Sequence, residues 1–142
     1  MQNMSINNLV SNQQTSERLA KLGVEQSGGK MYWGNTIGQK DQSCWRLYTK
    51  EQKEIPDSAM EYYRAFFSDE ILEMLPETID QGDDYSPYYL NMHKARFGKE
   101  FQLRYGTADS NDDKTISIRK KTFVEALASL LEHCIKNNLI KV

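Results

Sequence analysis

The sequence is poor in the residues that stabilise small secreted proteins through covalent or metal cross-links. It holds two cysteines, Cys44 and Cys134, in 142 residues. This density is far below that of a disulfide scaffold, and the two cysteines lack the spacing of zinc ligands. Each lies in an apolar stretch, which favours two separate buried thiols over one disulfide. Because a chain of this length buries roughly 68–70% of its unfolded surface, folding requires no cross-link, and no metal or cofactor is predicted.

Long apolar runs are also missing. No window approaches the roughly eighteen consecutive apolar residues that a membrane helix needs. The first ten residues are rich in asparagine and lack a basic cluster followed by an apolar run, which argues against a cleaved secretion signal. We therefore expect a cytoplasmic protein with no membrane partner.

The chain has no excess of positive charge. Eighteen basic residues stand against twenty acidic ones, for a formal net charge of -2. Proteins that grip duplex DNA usually carry a basic excess, because neutralising phosphates supplies much of their affinity. The balance makes a nucleic-acid partner less expected, although a local basic patch would still allow one.

What the chain does carry is the alternation of apolar and polar residues that is typical of β-strands. Residues 88–93, 101–105 and 115–119 alternate in this way, and residues 31–33 and 43–48 are predicted to pair with each other. One polar face per strand indicates an antiparallel sheet that is covered on one side. We predict an α+β fold in which a sheet of about five strands carries two or three helices on one face. Residues 1–142 are expected to form a single domain, with 1–14 as a disordered or frayed tail.

Three helices are predicted from capping signals and apolar periodicity. The first is capped by Thr15 or Ser16 and ends at Gly23, and the second begins at Ser68 and ends before proline. In the last, Thr122 and Glu125 form a capping box ahead of an apolar stripe. The stripe consists of Val124, Leu127, Leu130, Leu131, Cys134 and Ile135. Residues 60–67 form either a helical turn or an extended aromatic segment.

Sequence signatures of catalysis are lacking. Residues 109–113 resemble the start of a calcium loop, but Lys114 and Lys120 occupy positions that require glycine and glutamate, so a polar turn is favoured. His93 and His133 belong to no hydrolase, zinc-protease or phosphate-loop motif. We therefore predict no enzymatic activity, and only a pocket that joins His93 to a carboxylate would favour one.

The polar face of the predicted sheet is the main candidate for a binding site. Strand alternation assigns six candidate residues to it, together with Asn91 and Gln102. The six are Arg46, Tyr48, Tyr89, His93, Arg104 and Arg119. Arginine with exposed aromatics is suited to stacking bases or to meeting an acidic partner. The same residues also occur on ordinary exposed sheets, where long side chains pair across strands, and that interpretation is favoured.

The order of several short motifs resembles a group of small uncharacterised proteins from phages and prophages of Bacteroides-like gut bacteria. The matching pieces are TSERL at 15–19 with Leu22 and Gly23, Tyr32-Trp33, WRL at 45–47, ILEMLP at 71–76, YLNM at 89–92, VEALA at 124–128 and NLI at 138–140. The chain departs from the group by inserting residues 60–67 in place of a shorter link. The resemblance implies a cytoplasmic accessory protein of a mobile element and carries over no site residues.

These observations give an ordered set of functional expectations. A non-enzymatic module that binds a protein partner or its own copy comes first. A nucleic-acid-binding protein that uses the arginine- and tyrosine-bearing face is the alternative, and an enzyme without a recognisable motif comes third.

Overall fold

The computed structural model describes residues 9–36, 44–53, 60–79, 88–94, 100–106 and 116–141. The helices are α1 (Gln13–Lys21), α2 (Lys50–Lys53), α3 (Ser68–Met74) and α4 (Phe123–Lys136). The strands are β1 (Met31–Thr36), β2 (Arg46–Thr49), β3 (Met60–Ala65), β4 (Thr78–Ile79), β5 (Tyr88–Lys94), β6 (Phe101–Gly106) and β7 (Ile116–Lys120). The predicted α+β class is confirmed.

The strands form two antiparallel sheets in place of the single sheet of about five strands predicted from the sequence. One has the order β2-β1-β3 and the other the order β4-β5-β6-β7. The expected pairing of β1 with β2 is present, with Trp33 opposite Leu47. Residues 60–65 are extended and pair with β1 along their whole length, which builds the separate three-stranded sheet. Two adjacent tyrosines favour this extended form, because aromatic residues suit the pleated surface of a sheet.

The main core lies between the four-stranded sheet and α4. Leu103 and Tyr105 on β6 are fully buried, as are Leu127 and Leu131 on α4. The predicted apolar stripe of α4 is confirmed, since five of its members are buried and Ile135 packs against them partly buried. Each fully buried leucine contributes about 2 kcal/mol relative to exposure, so α4 is held by its packing more than by its helix propensity.

A smaller core joins the three-stranded sheet to the segment that precedes α1. Val10 is buried with Trp33 and Ala65, and the buried Ser11 carbonyl accepts a hydrogen bond of 2.8 Å from Trp33 Nε1. Residues 1–8 lie outside the described residues, but the predicted frayed tail does not extend to residue 14. Residues 10 and 11 are buried because they pair with the chain directly after β3, at the edge of this sheet.

Two helix starts differ from the sequence prediction. Asn12, and neither Thr15 nor Ser16, caps α1, since its Oδ1 accepts a 2.8 Å hydrogen bond from the Thr15 amide. The two hydroxyl residues lie inside the helix and are buried. For α3 the cap is Phe67, and Ser68 is already helical. The predicted end of α1 is confirmed, because Gly23 has a φ of 93°, a left-handed conformation that suits glycine.

Candidate functional site

The six candidate residues are divided between the two sheets. Tyr89 and His93 lie on β5, Arg104 on β6 and Arg119 on β7, whereas Arg46 and Tyr48 lie on β2 of the other sheet. The prediction that all six share one face is therefore wrong. The physical reason is the pairing of β2, which bonds to β1 and not to any strand of the four-stranded sheet.

Register places the polar residues of β5, β6 and β7 in rows. Asn91 lies opposite Arg104, which lies opposite Ser117, and the Cα of His93 lies opposite Gln102, whose other neighbour is Arg119. Residues that face each other across antiparallel strands project from the same side of the sheet. The alternate rows contain the buried Leu103 and Tyr105, which pack in the main core with α4, so the polar rows lie on the opposite side.

We call the outward surface the arginine face. It consists of Tyr89, Asn91, Gln102, Arg104, Ser117 and Arg119. The side chain of His93 lies outside what the structure describes, so only its register position is assigned.

Exposure varies across the arginine face. Tyr89 is 54% exposed, and Ser117 and Arg119 are also exposed, whereas the other three residues are half-buried. Two amide side chains are held along the sheet by hydrogen bonds. Gln102 Nε2 donates to Ser117 Oγ at 2.9 Å, and Asn91 Nδ2 donates to the carbonyl of Tyr89 at 3.1 Å. The face therefore combines fixed polar groups with one exposed aromatic ring and one exposed guanidinium.

The charge on the arginine face is positive. None of its six members is acidic, and the exposed Lys120 and Lys121 follow Arg119 at the end of β7. Arg119 makes no ion pair with any residue in the described part of the chain. A local cationic surface thus exists on a chain whose net charge is -2.

Tyr48 has a packing contact on the three-stranded sheet. Its ring meets that of Tyr62 edge to face, with centroids 5.8 Å apart, above Gly34 on the central strand. A Cβ at Gly34 would lie 2.6 Å from Tyr62 Cε1 and 2.9 Å from Tyr48 Cδ2. The two rings occupy the space that a side chain would take. Arg46 is exposed at the neighbouring register position, opposite Gly34.

Arg64 is a largely buried charged residue that no local sequence pattern singles out. Its Nη2 lies 2.6 Å from Glu70 Oε2, and the two side chains are 13% and 11% exposed. Its Nη1 donates to the carbonyl of Glu25 at 3.0 Å. These partners lie at scattered positions in the sequence, so no local spacing marks the cluster. The contacts join β3, α3 and the segment after α1, and the cluster is structural.

Burial shifts the pKa of two further groups, both in the main core. Burial raises the pKa of the Cys134 thiol to about 11, and burial also raises the pKa of Tyr105, whose hydroxyl donates to the carbonyl of Pro76. A thiol of this kind is inert as a nucleophile. Within the described ranges, no three His, Cys, Asp or Glu side chains come together as metal ligands. The loop at 109–113 lies outside the described residues.

No helix in the described part of the chain is long and apolar enough to cross a membrane. Comparison with protein-family models, with curated proteins and with solved structures found no match. The interpretation of the arginine face rests on its geometry and its charge.

Proposed function

We propose that the chain is a non-enzymatic binding module that engages an acidic protein partner through the arginine face. The observation that carries the proposal is the side of the four-stranded sheet opposite α4, where exposed Tyr89 and Arg119 accompany fixed amides and no acidic member. The setting that fits the sequence resemblance is the cytoplasm, with the module acting as an accessory protein of a mobile element.

The composition of the face supports a protein partner. Tyrosine and arginine are over-represented among the residues that dominate binding energy at protein interfaces, where a single one can contribute 2 kcal/mol or more. Asn91 and Gln102 are already held by hydrogen bonds, so binding requires little further ordering of these two side chains. Partner carboxylates would meet positive charge at Arg119, which is exposed on this face.

The same face is less suited to nucleic acid. Platforms for single strands stack successive bases on several aromatic rings. Among the described members of the face, Tyr89 is the one aromatic residue.

Self-association through this face is disfavoured by charge. In a two-fold dimer the same patch is used by both copies, so Arg119 and its neighbours would meet like charges. Like-charge juxtaposition across an interface opposes binding, and a complementary acidic surface does not carry this penalty.

The proposal is tested with a labelled polyglutamate chain and two charge reversals. Arg119→Glu changes the arginine face, and Arg46→Glu makes the same change at an exposed arginine of the other sheet. We expect Arg119→Glu to weaken polyglutamate binding at least about tenfold and Arg46→Glu to change it less than about twofold. Fluorescence anisotropy at fixed salt measures both affinities, and circular dichroism verifies that each variant is folded.

Equal losses in the two variants would mean that net charge alone attracts the probe, which would overturn the proposal. Failure of the unmodified protein to bind polyglutamate would overturn it as well. If a labelled single-stranded oligonucleotide bound instead, with affinity falling steeply as salt rises, nucleic acid would replace protein as the partner.

A further inference from the structure

The outer edge of β7 offers an open row of backbone groups. All five residues of β7 pair on one side with β6, and β7 is the last strand of its sheet. No hydrogen bond joins the backbone of its other side to any described residue. Such an edge is a template on which an extended chain can add as a further strand.

The other sheet edges are interrupted or partly capped. β4 has two residues and pairs only with Tyr88 and Tyr89, so Asn91–Lys94 of β5 pair with no described strand on that side. On β3, the amide of Arg64 donates to Gln26 Oε1 at 2.9 Å, and on β2 the amide of Thr49 donates to Gln52 Oε1 at 2.8 Å. Side chains thus occupy outward backbone donors on both edges of the three-stranded sheet. β7 combines full strand length with an edge that no described side chain caps.

The side chains of β7 indicate what an added strand would contain. Ile116 and Ile118 are partly buried and pack against the main core, so apolar residues beside them would extend that core. Ser117 and Arg119 alternate with them on the arginine face. An added strand must therefore alternate apolar with polar residues, because its side chains project to the two sides of the sheet in turn.

The charge at the end of β7 indicates which polar residues the added strand would carry. Arg119, Lys120 and Lys121 are exposed and follow one another where β7 ends. In the sequence before β7, Asp112 and Asp113 have the opposite sign. Acidic side chains of the ligand are therefore favoured beside Arg119, on the arginine face.

From these observations we infer that β7 binds an extended segment of the partner by strand addition, and that this segment alternates apolar and acidic residues. The inference rests on the proposed function and specifies the form in which the acidic partner is presented. Lysines at a sheet edge can also serve to keep other strands away, so the experiment must test backbone pairing and not charge alone.

The probe is a labelled eight-residue peptide in which valine and glutamate alternate. Two further peptides carry N-methyl groups, one on every valine nitrogen and the other on every glutamate nitrogen. In an added strand, one alternate set of amides points at β7 and the other points away. We expect one methylated peptide to bind at least about tenfold more weakly and the other to bind like the parent.

Hydrogen exchange gives the matching readout on the protein. We expect alternate amides within residues 116–120 to exchange at least about tenfold more slowly when the parent peptide is bound. Equal binding by all three peptides, without this protection, would overturn strand addition. If Arg119→Glu still weakened polyglutamate binding in that case, the proposed function would stand without it.

Two further outcomes distinguish strand addition at β7 from the proposed use of the arginine face. Binding of polyglutamate but not of the alternating peptide would overturn strand addition alone. Binding of neither probe would overturn both the strand addition and the proposed use of the arginine face.

Discussion

The Arg64 guanidinium connects parts of the chain that lie far apart in sequence. It pairs with Glu70 on α3, donates to the carbonyl of Glu25 and lies 4.6 Å from the ring centroid of Phe66. Gly29 lets the side chain pass, since a Cβ there would lie 2.7 Å from Arg64 Cγ. Because both charged groups are nearly buried, each depends on the other for compensation.

Replacing Glu70 should therefore destabilise the protein strongly. We expect Glu70→Ala to lower the free energy of unfolding by about 3–5 kcal/mol, because it leaves the Arg64 charge buried without its counter-ion. The substitution also removes the acceptor of the Phe67 amide at the start of α3. Equilibrium urea unfolding measures the change.

The neighbouring Asp69 provides the matched control. Its carboxylate lies 3.9 Å from Lys30 Nζ, and both side chains are largely exposed. Asp69→Asn should change the free energy of unfolding by less than about 0.5 kcal/mol, since exposed ion pairs contribute little. Similar small effects from both substitutions would contradict the assigned role of Glu70.

At the residue scale, local sequence signals predicted where helices stop better than they predicted which side chains contact each other. Gly23 ends α1 as expected, but the cap is Asn12 and neither of the predicted residues, Thr15 and Ser16. The reason is tertiary, because Thr15 Oγ1 donates to Glu125 and is buried in the contact between α1 and α4. A capping preference depends only on the residues at one helix end. It does not predict whether another helix will pack against those residues.

The contact between α1 and α4 shows how one motif can serve two elements. Thr122 Oγ1 accepts the Glu125 amide at 3.2 Å, which is half of the predicted capping box. The Glu125 carboxylate, however, accepts the Asn12 amide at 2.7 Å and the Thr15 hydroxyl at 2.9 Å. The carboxylate thus holds the start of α1 in addition to its place in the first turn of α4.

Loss of this carboxylate should loosen α1. We expect Glu125→Ala to lower the free energy of unfolding by about 1.5–3 kcal/mol, the range for hydrogen bonds to a charged group. Amide exchange in α1 should become faster than in α4, because α1 loses its tie while the buried stripe of α4 remains.

Glu132→Ala provides the comparison for that prediction. Glu132 also joins α4 to α1, through Arg18 at 2.8 Å, but the Arg18 side chain is 49% exposed. The loss should stay below about 1 kcal/mol. Unchanged exchange in α1 after Glu125→Ala would show that apolar packing alone positions the helix.

At the element scale, period and length were enough to predict five of the seven described strands but not how the strands are grouped. The alternation along β5, β6 and β7 correctly separated Leu103 and Tyr105 from Gln102 and Arg104. Residues 60–65 lack an alternation of this kind, because Tyr62 and Tyr63 are adjacent and contact aromatic rings on opposite sides of the sheet. The pattern of that segment is therefore compatible with both helix and strand.

For the whole molecule, the unpredicted feature is the division into two sheets, and it decides which candidate residues lie together. The alternation of side chains between the two sides of a strand can be predicted from sequence. Which strands pair with each other depends on contacts between distant segments. Arg46 and Tyr48 share one side of β2, as predicted. However, β2 belongs to the three-stranded sheet, whereas Arg119 lies on the four-stranded one. The arginine face was therefore predicted in part, by the residues of β5, β6 and β7.

The main core also makes the stability of the whole molecule sensitive to alkaline pH. Burial raises the pKa of Cys134 to about 11, whereas the pKa of a thiol in an unfolded chain is about 8.5. Between these values the folded state retains a proton that the unfolded state releases. The contribution to stability is therefore fully present below about pH 8.5 and is lost as pH rises towards 11. Burial of Tyr105 acts in the same direction at higher pH.

We expect the free energy of unfolding to fall by an amount on the order of 3 kcal/mol through Cys134 between pH 8.5 and 11. Urea unfolding with reductant present measures this change. Cys134→Ala should be less stable at neutral pH, because it leaves a small cavity, but its stability should fall less over this range. Cys44→Ala is the control, since Cys44 is only half-buried, and it should keep the full alkaline loss. If Cys134→Ala and the unmodified protein lost stability in parallel, the alkaline sensitivity would have to come from other groups, and the buried thiol would not be its source.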